Sequence, residues 1–303
     1  MYSNHITYSG MDERERIVWP GGARIALWLA VNVEHYEFVA GHNPYRSAWS
    51  RVPQPDVHEY GHREYGNRVG FWRLLDVLKA YSVRGTASLN LAVMEHFPEV
   101  RDAMVEHQWA LMSHGIYNTQ YLFGMSEDQE RAFYQESIEL LRRHTGKTLR
   151  GMLGPAFSAT SRTPDLMAEA GLTYQADWFL DDQPFPLNVR SGRLIMMPYG
   201  REINDSFLSA TGEFVQACKD QFDALYAESD EGGRVMCIAL HPFITGQPHR
   251  IHEFKDVLDY ILSHQGVWAT TADDIADYYL NHYYRSAVDR LGGAGTRTQM
   301  GRP

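Results

Sequence analysis

The feature that most constrains the fold is a series of short apolar runs, each followed at once by a polar or reactive side chain. The runs and the residues that follow them are 23–33 and Glu34, 109–113 and His114, 172–176 and Asp177, 193–198 and Tyr199, and 235–240 and His241. Such runs are typical of buried parallel strands. Because parallel α/β proteins place their chemistry at the carboxyl ends of the strands, we expect these side chains to share one edge of a sheet.

Segments with helical spacing separate the runs, as in 70–80, where Phe71, Leu74, Leu75 and Leu78 recur on one face. Further helices are predicted at 90–107 with a break at Pro98, 126–146 after a capping-box pattern, 163–170, 211–229, 251–265 and 272–284. Short strands are predicted at 84–90 and 266–270. This alternation predicts a parallel α/β fold with about seven strand–helix units, nearer a barrel than an open sheet.

We expect the 303 residues to form one catalytic domain. Its core is expected over about 15–284, after an N-terminal arm at 1–22 and before a flexible tail at 286–303. Residues 38–67 are rich in Gly, Pro, His and Tyr and show no clear period, so they predict a long functional loop.

Within that loop, His58-Glu-Tyr-Gly-His62 matches a zinc-protease motif that must lie on a helix. Pro53 and Pro55 precede the motif, and Gly61 and Gly66 interrupt it, so we expect a loop beside a pocket or a plain exposed loop instead. The roles of His58 and His62 stay open.

Composition narrows the class of partner. The formal net charge is −10, with no basic stripe, which argues against nucleic-acid and anionic-membrane partners and leaves a small-molecule substrate. Two separated cysteines, Cys218 and Cys237, do not make a disulfide framework. No secretion signal and no span of about 20 apolar residues is evident, so a cytoplasmic protein is expected. No glycine-rich phosphate loop follows the first apolar run.

Asn32 and Glu34 point the same way from a strand, so both can face a barrel mouth, with Glu34 as a metal ligand, a general base or a solvated carboxylate. His114 is followed four residues later by Asn118, a weak oxygen ligand, rather than by a second histidine. His241 is the best candidate for a general acid. Asn204-Asp205 is expected as a helix cap or turn.

Taken together, these residues resemble the polysaccharide deacetylase (NodB-homology) superfamily, and within it the branch of allantoinase-like and cyclic imide hydrolase-like proteins. The matching stretches are Trp19-Pro-Gly-Gly-Ala-Arg24, Asn32-Val-Glu34, Arg63-Glu-Tyr-Gly-Asn-Arg-Val-Gly-Phe-Trp-Arg-Leu74, Ser113-His-Gly115, Asp181-Asp-Gln-Pro-Phe185, Pro198-Tyr199 with Asn204-Asp205, and Leu240-His241. The resemblance implies a distorted (β/α)7 barrel of the NodB-homology type and a homo-oligomer, with a tetramer as the expected form.

The departures from the family pattern decide the expected chemistry. Metal-dependent members carry paired aspartates after the first strand and His-x-x-x-His after the third, where this chain has Asn32, Glu34, His114 and Asn118. The resemblance therefore implies either a weakly held divalent metal, such as zinc, on Glu34, His114 and Asn118, or a metal-free site.

The leading hypothesis is a hydrolase of non-peptide C–N bonds in a small cyclic amide, imide or ureide. Glu34 would activate water, His241 would protonate the leaving nitrogen, and Asn32 would complete the catalytic set. The substrate-binding residues are predicted as Glu37, Arg63, Trp178, Asp182 and Tyr199. The alternatives are a metal-dependent N-deacetylase of an acetylated sugar or related acetamide, and a catalytically inactive binding module.

Overall fold

A computed structural model describes residues 3–41, 43, 55–208, 210 and 212–298. Its centre is a nine-stranded sheet. The strands are β1 (Ile25–Val33), β2 (Thr86–Leu89), β3 (Ala110–Ser113), β4 (Gly151–Met152), β5 (Tyr174–Gln175), β6 (Phe185–Leu187), β7 (Leu194–Met196), β8 (Arg234–Leu240) and β9 (Val267–Thr270). The short strands β4 and β6 were not predicted, because two or three residues carry too little periodicity to detect.

Strand β1 organises the sheet. The order is β6-β7-β5-β4-β3-β2-β1-β8, with β9 also paired to β1, and every pairing is parallel except that of β6 with β7. A bridge between Asn204 and Ala239 joins the chain after β7 to β8, so the sheet curls towards closure. The predicted parallel α/β architecture is confirmed.

Helices flank the sheet. They are α1 (Val57–Tyr65), α2 (Phe71–Ala80), α3 (Val93–His96), α4 (Pro98–Glu106), α5 (Glu127–Thr145), α6 (Thr163–Glu169), α7 (Glu213–Glu228), α8 (Ile251–Leu262), α9 (Ala272–His282) and α10 (Tyr284–Thr298). The predicted break at Pro98 is confirmed, since α4 begins there. The predicted capping box is also confirmed, with Ser126 and Gln129 each bonded to the other's backbone.

Helix α1 corrects the prediction of a loop through residue 67. Asp56 caps it by accepting a hydrogen bond from the Glu59 amide at 3.2 Å, and a π-helical turn at Gly66–Gly70 joins it to α2. Pro55 lies before the cap, where it breaks nothing. Residues 42 and 44–54 of the predicted loop lie outside the described residues.

The described part of the tail forms helix α10, and the predicted flexibility of 286–303 stays a prediction. Leu291 is buried in the core, and Ala287 packs against a second apolar cluster. Tertiary packing therefore stabilises a segment whose glycines argue against a helix.

The alternation of side chains along β1 sets up the site. Ile25, Leu27 and Leu29 pack towards the helices, whereas Trp28 and Ala30 belong to a separate cluster inside the curled sheet. Cys218 and Cys237 are free and buried. Among the described residues, no helix is both long and apolar enough to cross a bilayer.

Candidate active site

Glu34 is the centre of the site and comes directly after β1. Its buried carboxylate has Oε1 at 3.5 Å from the Nε2 atoms of both His114 and His241. Oε2 accepts the hydroxyl of Tyr36 at 2.5 Å. The predicted convergence of strand-end side chains is therefore found, because β1, β3 and β8 deliver these residues at the same edge of the sheet.

His241 is held from behind by a carboxylate. Its Nδ1 lies 2.6 Å from Oδ1 of Asp205, and its backbone amide donates to Oδ2 at 2.7 Å. Thr245 also donates its hydroxyl to that oxygen at 2.6 Å. Because Nδ1–H is fixed on Asp205, the other ring nitrogen faces Glu34. Asp205 therefore orients His241, beyond the helix-cap or turn role that was predicted for Asn204-Asp205. Asn204 fills the turn role by accepting hydrogen bonds from the backbone amide and the hydroxyl of Ser206.

The charges of this pair reinforce one another. Burial lowers the pKa of His241, but the carboxylates of Asp205 and Glu34 outweigh it and raise the pKa to about 10. Burial raises the pKa of Glu34, but the charge on His241 and the side-chain hydrogen bonds of both histidines outweigh burial. They hold the pKa of Glu34 well below its usual range. At neutral pH the pair is therefore an ionised Glu34 facing a protonated His241.

His114 is oriented by the neighbouring strand. Its Nδ1 donates to the carbonyl oxygen of Leu153 at 2.9 Å, so Nε2 is turned towards Glu34. Asp177 lies nearby and accepts the Gly154 amide at 2.7 Å. Burial raises the pKa of Asp177 to about 6.

Tyr36 and Asn118 complete a hydrogen-bond chain on the other side of Glu34. Asn118 donates its Nδ2 to the Tyr36 hydroxyl at 2.6 Å, and Tyr36 donates to Glu34. The Oδ1 atom of Asn118 is buried with no hydrogen-bond partner in the described part of the chain. Sequence reasoning missed Tyr36, although its position two residues after Glu34 is the available signal.

Asn32 anchors Tyr199 inside the curled sheet. Its Nδ2 donates to the Tyr199 hydroxyl at 3.1 Å and to the carbonyl of Leu240 at 3.3 Å. An amide does not take up a proton as a carboxylate does, so Asn32 positions its neighbours here. Burial raises the pKa of Tyr199 well above its ordinary value, so its hydroxyl stays neutral.

An aromatic wall made of Phe157, Phe179 and Tyr199 stands beside these groups. The ring centroids are 5.0 to 6.1 Å apart. Phe157 and Phe179 have φ angles of 56° and 47°, a left-handed conformation that costs bulky residues of order 1–3 kcal/mol. No sequence pattern signalled these two phenylalanines, because left-handed backbone at a non-glycine residue is decided by its surroundings.

The turn after β8 packs closely against the π-helical turn at Gly66–Gly70 that joins α1 to α2. A Cβ on Gly70 would lie 1.8 Å from the carbonyl oxygen of Pro242, and one on Gly66 would lie 3.0 Å from the Phe243 amide. Position 70 therefore requires glycine for close backbone approach, and a side chain at Gly66 would need Phe243 to shift. Gly66, one of the two glycines that argued against a helix, thus lets the helical segment pack against the turn that follows His241.

Other predicted site residues have different surroundings. Glu37 accepts the Thr119 hydroxyl at 2.6 Å, and Trp178 donates its indole N–H to Gln175 at 3.0 Å. His58 is exposed, with 70% of its side-chain surface accessible, and the ring of His62 packs edge-on against Phe243. Among the described residues, the motif belongs to no cluster of three or more His, Cys, Asp or Glu with metal-binding geometry.

The structure corrects the prediction of Asp182 as a substrate-binding residue, because it does not bring Asp182 close to Glu34. Its carbonyl accepts the Val235 amide, and Val235 pairs with Ala26 near the start of β1. Glu34 follows the other end of β1, about 25 Å away along the strand.

The predicted ligand set of Glu34, His114 and Asn118 does not fit a tightly held zinc ion. One Glu34 oxygen is taken by Tyr36, and Asn118 presents its amide nitrogen to the same hydroxyl. That leaves a carboxylate oxygen and an imidazole with a weak amide oxygen, short of the three strong donors that zinc sites use. Within the residues that the structure describes, no cluster of three or more His, Cys, Asp or Glu has metal-binding geometry.

A curled α/β sheet with a carboxylate–histidine pair at its carboxyl edge is the arrangement that the resemblance to the NodB-homology superfamily predicted. The polysaccharide deacetylase family profile matches residues 64–175. The resemblance inferred from the motifs is therefore confirmed over these residues. The predicted enzyme class, a hydrolase of C–N bonds, is confirmed with it.

Similar proteins carry both allantoinase and deacetylase names. The crystal structure of PuuE allantoinase has a TM-score of 0.79 and 28% identity, covering 89% of this chain and 94% of its own. That of a probable polysaccharide deacetylase from Pseudomonas aeruginosa has a TM-score of 0.78 and 28% identity, covering 89% and 96%. A Schizosaccharomyces pombe protein provisionally named a polysaccharide deacetylase is 28% identical over 88% of this chain and 94% of its own. These likenesses confirm the predicted distorted barrel.

Proposed function

We propose that the protein hydrolyses a C–N bond in a small cyclic amide, imide or ureide without a resident metal. The observation that carries the proposal is the 3.5 Å approach of the Glu34 carboxylate to Nε2 of His241, and the lowered pKa of Glu34 and raised pKa of His241 favour the ionised pair. One group of the pair can accept a proton and the other can donate one, which is what amide hydrolysis requires. The structural likeness to an allantoinase supports this substrate class.

In the proposed reaction, Glu34 takes a proton from water as the water oxygen attacks the ring carbonyl carbon. The C–N bond then breaks, and Nε2–H of His241 protonates the departing nitrogen. Asp205 stabilises the imidazolium before transfer through its 2.6 Å contact with Nδ1. His114 is placed to orient the attacking water by accepting a hydrogen bond at Nε2.

The unpaired oxygen of Asn118 supports recognition of a ring N–H. A buried acceptor without a partner costs about 1–3 kcal/mol, which a bound donor would recover. Cyclic imides and ureides present such an N–H next to the scissile carbonyl. The aromatic wall of Phe157, Phe179 and Tyr199 offers apolar surface for a flat ring.

The test is a hydrolysis assay of the purified protein on hydantoin, dihydrouracil, succinimide and allantoin, with N-acetylglucosamine and its oligomers in parallel. Turnover of a cyclic compound that is lost in correctly folded Glu34→Gln and His241→Ala variants would support the proposal. Full activity of both variants would refute the assigned roles. Acetate release that depends on added metal would instead support the deacetylase alternative, which the names of several relatives favour.

A further inference from the structure

Arg63 on helix α1 is an unusual cation next to this site. Its guanidinium carbon lies 5.1 Å from the ring centroid of Tyr36 and 4.5 Å from that of Phe243, so the two aromatic rings hold it. Such cation–π contacts position a guanidinium but do not neutralise its charge.

Arg63 has no carboxylate partner among the residues that the structure describes, and its Nε is buried without a hydrogen bond. By contrast, Arg14, Arg131 and Arg150 each pair with an aspartate or glutamate. The residues outside the described ranges include no Asp or Glu, so no acidic side chain there can serve as its partner. A partly desolvated cation without an anion is costly, which indicates that its partner arrives with a ligand.

The two rings around Arg63 belong to the two halves of the acid–base pair. Tyr36 donates its hydroxyl to Glu34, and the Phe243 ring centroid lies 5.3 Å from that of His241. An anion bound to Arg63 would therefore lie next to the bond that is broken. The planar guanidinium fork matches a carboxylate in a two-point contact.

We infer that the substrate is a cyclic amide, imide or ureide that bears a carboxylate substituent, and that Arg63 binds this carboxylate. The inference rests on the proposed function for the ring, but the recognition of the anion by Arg63 can be measured without turnover. Arg63 becomes the residue that sets specificity for charged over neutral rings. The chain's net charge of −10 disfavours anions at long range, so a local cation favours binding of such a substrate.

The probes are hydantoin-5-acetic acid and its methyl ester, which share the ring and differ in charge. For the wild type we expect kcat/KM, and binding by calorimetry, to favour the acid by roughly tenfold or more, as a charge-assisted contact would give. Arg63→Gln should abolish this preference, because it should weaken binding of the acid more than binding of the ester, whereas Arg63→Lys should keep part of it. Arg142→Gln, at an exposed arginine paired with Glu139, is the matched control and should change nothing.

The outcomes distinguish the inference about Arg63 from the proposed function. Binding of the acid that depends on Arg63, without hydrolysis of either compound, would sustain the inference and count against the proposed function. Equal hydrolysis of acid and ester, or equal loss of both in folded Arg63→Gln, would overturn the inference and leave the proposed function standing. Failure of the wild type to bind the acid would also overturn it.

Discussion

The Oε1 atom of Glu34 lies 3.5 Å from Nε2 of His241, and Asp205 contacts the opposite nitrogen of the same imidazole at 2.6 Å. His241 is thus a buried cation between two carboxylates. Only one of these carboxylates, Glu34, lies on the side where a substrate carbonyl can approach. This asymmetry separates the proton-accepting role from the orienting role.

Glu34→Gln should lower kcat by about 10²–10⁴-fold, because the amide cannot take a proton from water. The same change removes a negative charge that raises the pKa of His241, so that pKa should fall. Steady-state kinetics and an NMR titration of the imidazole would measure both effects. Glu37→Gln is the matched control, since the Glu37 carboxylate is bound to Thr119, and it should cost far less. Near-normal kcat in folded Glu34→Gln would contradict the assignment.

Asp205→Asn should narrow the pH range of activity on its alkaline side. A general acid works only while protonated, so wild-type kcat/KM should hold until the pH approaches the His241 pKa of about 10 and then fall. Removing the Asp205 charge lowers that pKa, so the fall should begin at lower pH. Thr245→Val, which removes only a hydroxyl bonded to Asp205, should shift the profile much less. Coincident profiles for wild type and Asp205→Asn would count against this role.

The raised pKa of His241 also predicts how the stability of the protein depends on pH. The folded-state pKa of His241 is raised above its unfolded value of about 6.5, so the stabilisation is complete below that value and is lost as pH rises through about 10. Chemical denaturation between pH 6 and 10 should show a loss of unfolding free energy that is reduced in Asp205→Asn. A loss of equal size in both proteins would assign it to other groups.

Gly70→Ala should destabilise the protein by at least about 2 kcal/mol and lower activity, because the new methyl group overlaps the backbone carbonyl of Pro242. Gly61→Ala on the same helical segment is the control, since a Cβ there meets nothing within 4 Å. That change should stabilise the helix by roughly 0.5–1 kcal/mol. Urea denaturation would measure both, and equal effects would show that the close approach at Gly70 is unimportant.

The donor set predicts that purified protein keeps substoichiometric zinc after dialysis and that chelators leave its activity unchanged. Asn118→His adds a third strong donor and should increase the zinc retained, as measured by elemental analysis. Stoichiometric metal in the wild type, together with activity lost to a chelator, would contradict this prediction and favour the metal-dependent deacetylase alternative.

Local patterns were enough to predict most of the fold. Apolar runs of strand length predicted β1, β3 and β8, and helical spacing predicted α2 and the capped helix α5. The same patterns placed Glu34, His114 and His241 at strand ends. They predicted the wrong state for residues 57–65, because intrinsic propensity counts each glycine as a cost and cannot register the packing of Gly66 against Phe243.

The apolar runs therefore determined where the reactive edge lies, because hydrophobic periodicity is a local property that can be read from the sequence. Only the tertiary structure decided which polar residues meet there. It brought Asp205 behind His241, set Phe157 and Phe179 beside Tyr199, placed Arg63 between two aromatic rings, and carried Asp182 to the other end of the sheet. These contacts join residues distant in the chain, and their energies depend on burial and charge that exist only after folding.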